Sequence, residues 1–124
     1  MNILDVFHGT TGDKILQIIK EGLFRPDETG RIFFVQHDPR EALQYGADSK
    51  RMARYVLRAR VEVPLTANLE TGPPTAGAPL HTLIVTSLVP IRAQIMELLI
   101  HKLGSSDLER VKGVSEIARV LTAK

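Results

Sequence analysis

The sequence predicts one domain of the α+β class, because helix-like and strand-like patterns follow one another along a single short chain. Apolar residues recur at helical spacing around Ile15, and they alternate with polar residues from Tyr55 to Val63. The 124 residues are 44% hydrophobic and 24% charged, which is typical of a compact folded chain. We therefore expect one domain over 1–124, with a core fold over 1–90 and C-terminal helices over 91–124.

The composition excludes several classes of protein. The chain has no cysteine, so it has no thiol nucleophile, no thiolate zinc site and no disulfide framework. No basic leader pattern opens the sequence, and no apolar run approaches the roughly 20 residues of a membrane span. We expect a cytoplasmic protein without a membrane partner, and we predict no metal site.

The first predicted strand and helix flank a His-Gly-Thr-Thr segment. Residues 3–7 form a short apolar run that is typical of a strand, and this run ends at His8. A helix is expected from about Asp13 to Glu21. Gly22 follows it at the position where a left-handed residue commonly ends a helix.

A second strand and helix follow a cluster of turn-forming residues. The aromatic and β-branched run Arg31–Val35 predicts a strand. Asp38 is then a helix N-cap, Pro39 suits the first helical position, and Glu41 completes a capping box. The predicted helix carries Tyr45.

The second half of the chain predicts two strands, a loop and two helices. Residues 55–63 alternate as a half-exposed strand, and 80–89 contain a continuous apolar run that favours a central strand. Residues 64–79 are rich in proline and glycine, which predicts a loop that is either functional or a plain connector. Helical patterns cover 91–103 and 107–121, separated by Gly-Ser-Ser.

Most of the net charge of +2 comes from a group of basic residues between positions 50 and 60. Such a group can attract an anionic ligand, or it can simply form a solvated surface. The residues are Lys50, Arg51, Arg54, Arg58 and Arg60.

Four short motifs occur in order on the predicted elements, and together they resemble the NAD-dependent ADP-ribosyltransferase superfamily. The similarity is to the branch that contains poly(ADP-ribose) polymerases, diphtheria toxin and the small rifampicin-modifying transferases. It covers the first half of the chain closely, and no motif matches after Pro90. The motifs are Phe7-His8-Gly9-Thr10-Thr11, Gly22-Leu23, Gly30-Arg31-Ile32-Phe33-Phe34 and Ala42-Leu43-Gln44-Tyr45-Gly46.

This resemblance implies a fold and an activity. The fold is a split pair of antiparallel sheets that form an NAD cleft, flanked by helices and finished by the C-terminal helical pair. The activity is transfer of one ADP-ribose from NAD to an acceptor, with release of nicotinamide. The acceptor would be a protein, a nucleic acid or a small molecule, and the protein would be a toxin-like effector.

The resemblance also implies which residues hold NAD. His8 would donate one ring N–H to a ribose hydroxyl while a neighbour fixes its other nitrogen. Gly9, which has no side chain, would let its backbone approach the nicotinamide carboxamide. Phe33 and Tyr45 would stack on the nicotinamide ring. His8 and Tyr45 are also candidates for catalytic roles.

Three further residues are expected around this site. Thr10 would cap or orient the loop after the first strand, and Arg25 or Arg31 would pair with the pyrophosphate unless it is simply solvated. Relatives usually carry tyrosine where this chain has Phe33. Stacking survives that change, but a hydroxyl contact to the ribose is lost.

The catalytic glutamate of active relatives has no direct counterpart here. The position that we equate with it holds Thr82, or His81 if the register shifts by one residue. A hydroxyl cannot stabilise a cationic ribose as a carboxylate does, so polymer elongation is not expected. Glu62 or Glu70 could supply the acid instead.

Two other functions stay open at this point. The chain could be a non-catalytic NAD or ADP-ribose binding module that has lost its acid. It could also be similar to the RNA 2′-phosphotransferases, which share the fold implied by the motifs and consume NAD.

Overall fold

A computed structural model describes residues 1–123 as one nine-stranded sheet with three α-helices. A turn of 3-10 helix, Leu43–Tyr45, directly follows the second α-helix. The helices are α1 (Gly12–Glu21), α2 (Pro39–Ala42) and α3 (Val114–Thr122). The strands are β1 (Asn2–Gly9), β2 (Leu23–Phe24), β3 (Arg31–Val35), β4 (Ala47–Asp48), β5 (Ala53–Val63), β6 (Asn68–Thr71), β7 (Thr82–Thr86), β8 (Ile91–Lys102) and β9 (Glu109–Lys112).

The sheet has the order β2-β8-β5-β1-β3-β7-β6, with β4 paired to β5 and β9 paired to β8. All the pairings described between these strands are antiparallel. The predicted α+β class and the predominance of antiparallel strands are confirmed.

The sheet is nearly divided between β1 and β3. Phe7 of β1 and Val35 of β3 form the single residue pair described between these two strands. In contrast, β1 pairs with β5 along its whole length, and β3 pairs with β7 along its whole length. The strands β2, β8, β5 and β1 therefore form one half, and β3, β7 and β6 form the other.

The two faces of the sheet are covered differently. Helices α1 and α3 pack on one face, where Ile15 and Ile117 join the large hydrophobic core. On the other face, α2 covers only a small cluster in which Ala42 contacts Val35 and Val56. Much of this second face has no helix over it.

Helix α1 forms where the sequence predicts it, because both of its ends are capped. Thr11 is the N-cap, and its side chain accepts a hydrogen bond from the first turn. Gly22 ends the helix with φ 68°, the left-handed conformation that glycine adopts easily. The carboxylate of Asp48 also accepts a hydrogen bond from the Gly12 N–H, which satisfies another free donor.

Helix α2 starts as predicted but is shorter than predicted. Asp38 caps it and Pro39 occupies its first turn. It then ends at Ala42, and Tyr45 lies in the 3-10 turn rather than on an α-helix. Glu41 does not complete a capping box, because its carboxylate bonds to His81 instead.

The predicted helix over 91–103 is wrong, because this segment is the long strand β8. Residues Arg58 and Ala59 of β5 pair with Glu97 and Ile95, so Met96 is an extra, unpaired residue in a β-bulge. A bulge moves the following side chains to the opposite face of the sheet.

That change of face explains the misleading pattern. Before the bulge the core-facing residues are odd-numbered, and after it they are even-numbered. The resulting spacing of residues 91, 95 and 98 reproduces the i, i+4, i+7 pattern of a helix. The core-facing residues of β8 are Ile91, Ala93, Ile95, Leu98 and Ile100.

The predicted helix over 107–121 is correct only in its second part. Residues 109–112 form β9, and α3 begins at Val114. Gly113 separates them with φ 89°, a conformation that favours glycine and interrupts both strand and helix. The predicted C-terminal helical pair is therefore a strand pair followed by one helix.

The predicted loop over 64–79 also contains a strand. Residues 68–71 form β6, which pairs with β7 at the edge of the sheet. All four of its residues are exposed, so no buried face imposes an alternating apolar pattern. The neighbouring strand predicted over 80–89 is confirmed over Thr82–Thr86.

Replacing Ile117 with alanine should lower the free energy of unfolding by about 2–5 kcal/mol, because this fully buried side chain (0% exposed) anchors α3 to the core. Leu103→Ala is the control, since Leu103 is 74% exposed and its loss should cost less than about 0.5 kcal/mol. Urea unfolding of both variants measures the difference. Equal costs would show that α3 does not pack as described.

Candidate functional site

His8 lies at the end of β1, at the division of the sheet. Its Nδ1 is 2.8 Å from the carbonyl oxygen of Phe33 in β3. A carbonyl oxygen only accepts hydrogen bonds, so Nδ1 carries the hydrogen and donates it. The ring packs edge-on against Phe24 and Phe34, with ring centres 5.1 Å and 5.6 Å apart. The imidazole thus joins the two halves of the sheet where backbone pairing has stopped.

The surroundings of His8 favour its neutral form. Burial lowers the pKa of His8 below its ordinary value, and the positive charge of Lys14 lowers it further, against the opposing effect of the Phe33 carbonyl. Nε2 of the neutral ring has a lone pair and no hydrogen-bond partner among residues 1–123. No fully buried side-chain nitrogen or oxygen in that range lacks a partner, so Nε2 is not completely buried. The free nitrogen of His8 is therefore an acceptor, not the donor expected from the sequence.

Gly9 is required by packing against the second helix. A Cβ atom at this position would overlap the carbonyl oxygen of Ala42 and lie 3.1 Å from the backbone nitrogen of Gly46. Only a residue without a side chain lets α2 and the 3-10 turn cross the end of β1 this closely. The glycine thereby brings the turn that carries Tyr45 against β1.

The two predicted stacking rings lie on the face of the sheet that α2 partly covers. Phe33 is half-buried and shares a face with Val35, which contacts Ala42. The side chain of Tyr45 is 48% exposed on the 3-10 turn. The ring of His8 packs against Phe24 and Phe34, so His8 and Phe33 lie on opposite faces of the sheet.

The other predicted NAD contacts are already engaged or only partly available. Thr10 is buried and does not cap α1, because Thr11 does. Arg25 forms an exposed ion pair with Glu21 at 2.7 Å, and this bond raises the pKa of Arg25. Arg31 is exposed at the start of β3.

The residues predicted to replace the catalytic glutamate do not lie together near His8. Thr82 is buried, and its hydroxyl donates to the carbonyl of Pro79 at 2.7 Å. Glu62 pairs with the opposite end of β1, five residues and therefore about 17 Å along the strand from His8. Glu70 lies on β6, at the outer edge of the other half of the sheet.

The structure instead joins Glu41 of α2 to His81, just before β7. Glu41 Oε2 lies 2.6 Å from His81 Nδ1, and Oε1 accepts the His81 backbone N–H at 3.1 Å. The bond to the His81 side chain is the main reason that the pKa of Glu41 is lowered. The ring of His37 packs edge-on against His81, with centres 5.2 Å apart. Sequence reasoning assigned Glu41 to a cap and missed this pair, because the two residues are 40 positions apart.

Two cavities of about 600 Å³ lie elsewhere on the domain. One lies between α3 and the strands β5, β8 and β9, and Tyr55 and Val120 are part of its lining. The other includes Leu23, Arg60 and Glu62. The four residues predicted to hold nicotinamide line neither cavity, and only Glu62 among the predicted catalytic residues lines one of them.

The basic residues between positions 50 and 60 bond within the protein. The guanidinium of Arg51 contacts the carboxylates of Asp48 and Asp13 at 2.9 Å each, and it donates to the Leu121 carbonyl. The interpretation as an ordinary protein surface is favoured over an anion site. The other pairs are Lys50 with Asp13, Arg54 with the Leu43 carbonyl, Arg58 with Glu97, and Arg60 with Asp5.

Residues 1–123 are the part of the chain that the structure describes. Within it, no three or more His, Asp or Glu side chains converge as a metal site would require. None of its helices has both the length and the apolar character needed to cross a membrane.

Comparisons with protein-family models, with curated proteins and with solved structures find no match to this chain. The similarity to ADP-ribosyltransferases therefore stays a prediction from the sequence motifs.

The stability of the protein should fall as the pH decreases through about 6.5, the ordinary pKa of histidine. The pKa of His8 is lower in the folded state, so below pH 6.5 the unfolded chain binds more protons than the folded one, until the native pKa is passed. Urea unfolding of the wild type from about pH 7.5 to about pH 5.5 should show this loss. His8→Gln should flatten the pH dependence, whereas the control His101→Gln should keep it. An unchanged slope in His8→Gln would contradict the assignment.

Gly9→Ala should lower the free energy of unfolding by about 3 kcal/mol, because the new methyl group would overlap the Ala42 carbonyl. Gly104→Ala is a suitable comparison. Its Cβ would meet no atom within 4 Å, so only the strain of φ 84° applies, about 1 kcal/mol. Equal losses in denaturant titrations would mean that α2 does not press on Gly9.

Proposed function

We propose that this protein is an NAD-dependent mono-ADP-ribosyltransferase that transfers ADP-ribose to an acceptor and releases nicotinamide. The main support is the division between β1 and β3, where His8 bridges the two strands and Gly9 holds the turn that carries Tyr45. These residues come from separate motifs of the series that resembles ADP-ribosyltransferases, and that resemblance implies the activity.

The architecture supports the proposal at a coarser level. The motif resemblance implies two antiparallel sheets that separate around a cleft. Here all the described pairings are antiparallel, and a single residue pair connects the halves at Phe7 and Val35. The proposed NAD site is therefore at this division, next to the end of β1.

The side chains at the division have suitable chemistry for a nicotinamide riboside. The free Nε2 of neutral His8 can accept a hydrogen bond from a ribose hydroxyl, while the Phe33 carbonyl keeps the ring oriented. The half-exposed ring of Tyr45 offers a stacking surface, and Phe33 lies on the same side of the sheet. The cationic nicotinamide of NAD is the leaving group. The protein holds the ribose while the bond between nicotinamide and ribose breaks.

A second candidate is a module that binds NAD or ADP-ribose without turnover. The observation that favours it is the state of the predicted acids. Thr82 is engaged with Pro79, and neither Glu62 nor Glu70 lies near His8. Binding without release of nicotinamide would support this function. The RNA 2′-phosphotransferase alternative stays a prediction from the sequence, and a steep salt dependence of RNA binding would support it.

The identity of the acceptor stays open among a protein, a nucleic acid and a small molecule. The cytoplasmic location and the toxin-like role also stay predictions from the sequence. Labelled NAD incubated with each class of acceptor would identify the product that carries ADP-ribose.

Tyr45→Ala should raise the Kd for NAD about tenfold, because stacking of an aromatic ring contributes about 0.5–1.5 kcal/mol beyond burial. Tyr45→Phe keeps the ring and should bind NAD as the wild type does. Calorimetric titration with NAD measures both constants. The side chain is half-exposed, so neither variant should unfold the protein.

The result that contradicts the proposed function is clear. If the wild type neither binds NAD in the calorimeter nor releases nicotinamide from labelled NAD, the proposal fails. If Tyr45→Ala binds NAD as tightly as Tyr45→Phe, NAD does not stack on this ring.

A further inference from the structure

We propose that His81 is the general base of the transfer reaction and that Glu41 is the positioning residue that orients it. This inference rests on the proposed function and adds the group that accepts the proton of the acceptor. It starts from the bond between Glu41 and His81, the residue that the resemblance offered as the alternative to Thr82.

The geometry leaves one nitrogen of His81 free for chemistry. Both carboxylate oxygens of Glu41 are engaged by His81, one by the backbone N–H and one by Nδ1. Nδ1 therefore carries the hydrogen, and the lone pair of the neutral ring is on Nε2. Nε2 has no hydrogen-bond partner among residues 1–123, and the His81 side chain is 42% exposed. A carboxylate that orients an imidazole with one free nitrogen is the arrangement that general-base catalysis uses.

The pair is attached to the same elements as the proposed NAD site. Ala42, the residue after Glu41, has its carbonyl against Gly9. Tyr45 follows Glu41 by four residues, about one helical turn. On the other side, the His81 carbonyl accepts the backbone N–H of Gln36, which follows β3. His81 is thus fixed to the end of the strand that carries Phe33.

A purely structural role accounts poorly for this pair. Ion pairs at the surface stabilise a protein by about 0–1 kcal/mol, and the Glu41 side chain is still 21% exposed. Glu62 and Glu70, the acids predicted from the sequence, are distant from His8. The Thr82 hydroxyl already donates to the Pro79 carbonyl. The His81 side chain is 42% exposed, and its Nε2 has no hydrogen-bond partner among residues 1–123.

The proposed step conserves atoms and charge. His81 Nε2 takes the proton of the acceptor hydroxyl, and the hydroxyl oxygen forms a bond to the anomeric carbon of the ribose. The bond from that carbon to the nicotinamide nitrogen breaks, and its electron pair stays on nicotinamide, which leaves as a neutral molecule. The imidazolium of His81 lies beside the Glu41 carboxylate until it returns the proton to water. When water replaces the acceptor, the same step hydrolyses NAD.

The pH dependence of the reaction distinguishes a base from a structural residue. The lone pair of the His81 imidazole is required for this step, so protonation of the ring at low pH should lower kcat. The titratable groups that contact His81 are Glu41 of α2 and His37 of the segment between β3 and α2. Glu41 stays ionised to a lower pH than an ordinary glutamate, because its pKa is lowered.

The experiment measures nicotinamide release from NAD in water, with the full chain, from about pH 5 to about pH 8. His81→Gln should lower kcat about 100-fold and remove the loss of rate at low pH, while its Kd for NAD stays within about twofold of the wild type. Glu41→Gln should lower kcat less and keep the acidic limb, because the imidazole is still present. His101→Gln, which changes an exposed histidine near Ser105, is the control and should keep the wild-type kcat.

Each outcome decides between the two proposals. If the wild type releases nicotinamide and His81→Gln keeps its rate and pH profile, the role of His81 is overturned and the proposed function stands. If Glu41→Gln equals the wild type, Glu41 does not position the base. If the wild type releases no nicotinamide, the transferase assignment and the base fall together, and calorimetric NAD binding then separates the binding module from a protein unrelated to NAD. If His81→Gln fails to fold by circular dichroism, Glu41→Gln alone decides the test.

Discussion

The hydrogen bond from His8 to the Phe33 carbonyl is the interaction on which this arrangement depends. Strands β1 and β3 share a single described residue pair, so their backbone groups beyond Phe7 cannot satisfy one another by ordinary sheet pairing. The imidazole supplies a donor for one of these carbonyls and fills the space beside Phe24 and Phe34. The same bond fixes the tautomer of the ring, because the hydrogen on Nδ1 leaves Nε2 as an acceptor. This contact therefore joins the halves of the sheet beside the Phe7–Val35 pair, and it sets the chemistry that the His8 ring can offer.

Sequence patterns predicted the elements whose identity depends on neighbouring residues in the chain. Helix α1 has a local cap and a terminal glycine, and β5 alternates between a buried and an exposed face, so both were predicted closely. The bulge at Met96 and the edge strand β6 depend on partner strands distant in sequence. No local window contains that information, and the bulge even produced a helix-like spacing in β8. Pairing with strands distant in sequence determines these elements, whereas local sequence propensity determines the others.

The candidate site could also be predicted only in part from the sequence. The sequence motif identified His8 and Gly9, but it did not predict why position 9 needs a glycine for packing. The structure shows that a Cβ atom there would overlap the carbonyl oxygen of Ala42. The pair formed by Glu41 and His81 could not be predicted from spacing, since the residues are 40 positions apart. The capping-box pattern predicted a local role for Glu41 at the start of α2. A carboxylate with two plausible partners, one local and one distant, has an assignment that only the folded chain can decide.

The contacts of Arg51 have a consequence for the order in which the chain folds during synthesis. Its guanidinium joins Asp48 of β4 and Asp13 of α1 to the Leu121 carbonyl of α3, and the last of these bonds connects residues 70 positions apart. The nearly buried Asp48 carboxylate bonds Gly12 and Arg51, which both precede α3, and the described bond of α3 to this group is the one from Arg51 to Leu121. The segment up to β7 can therefore leave the ribosome without this cross-link. Contacts of such large sequence separation form late and slow the search for the native topology. Until then, a nascent chain exposes the apolar side of α1 that contacts α3 in the finished fold, and a chaperone could bind this surface.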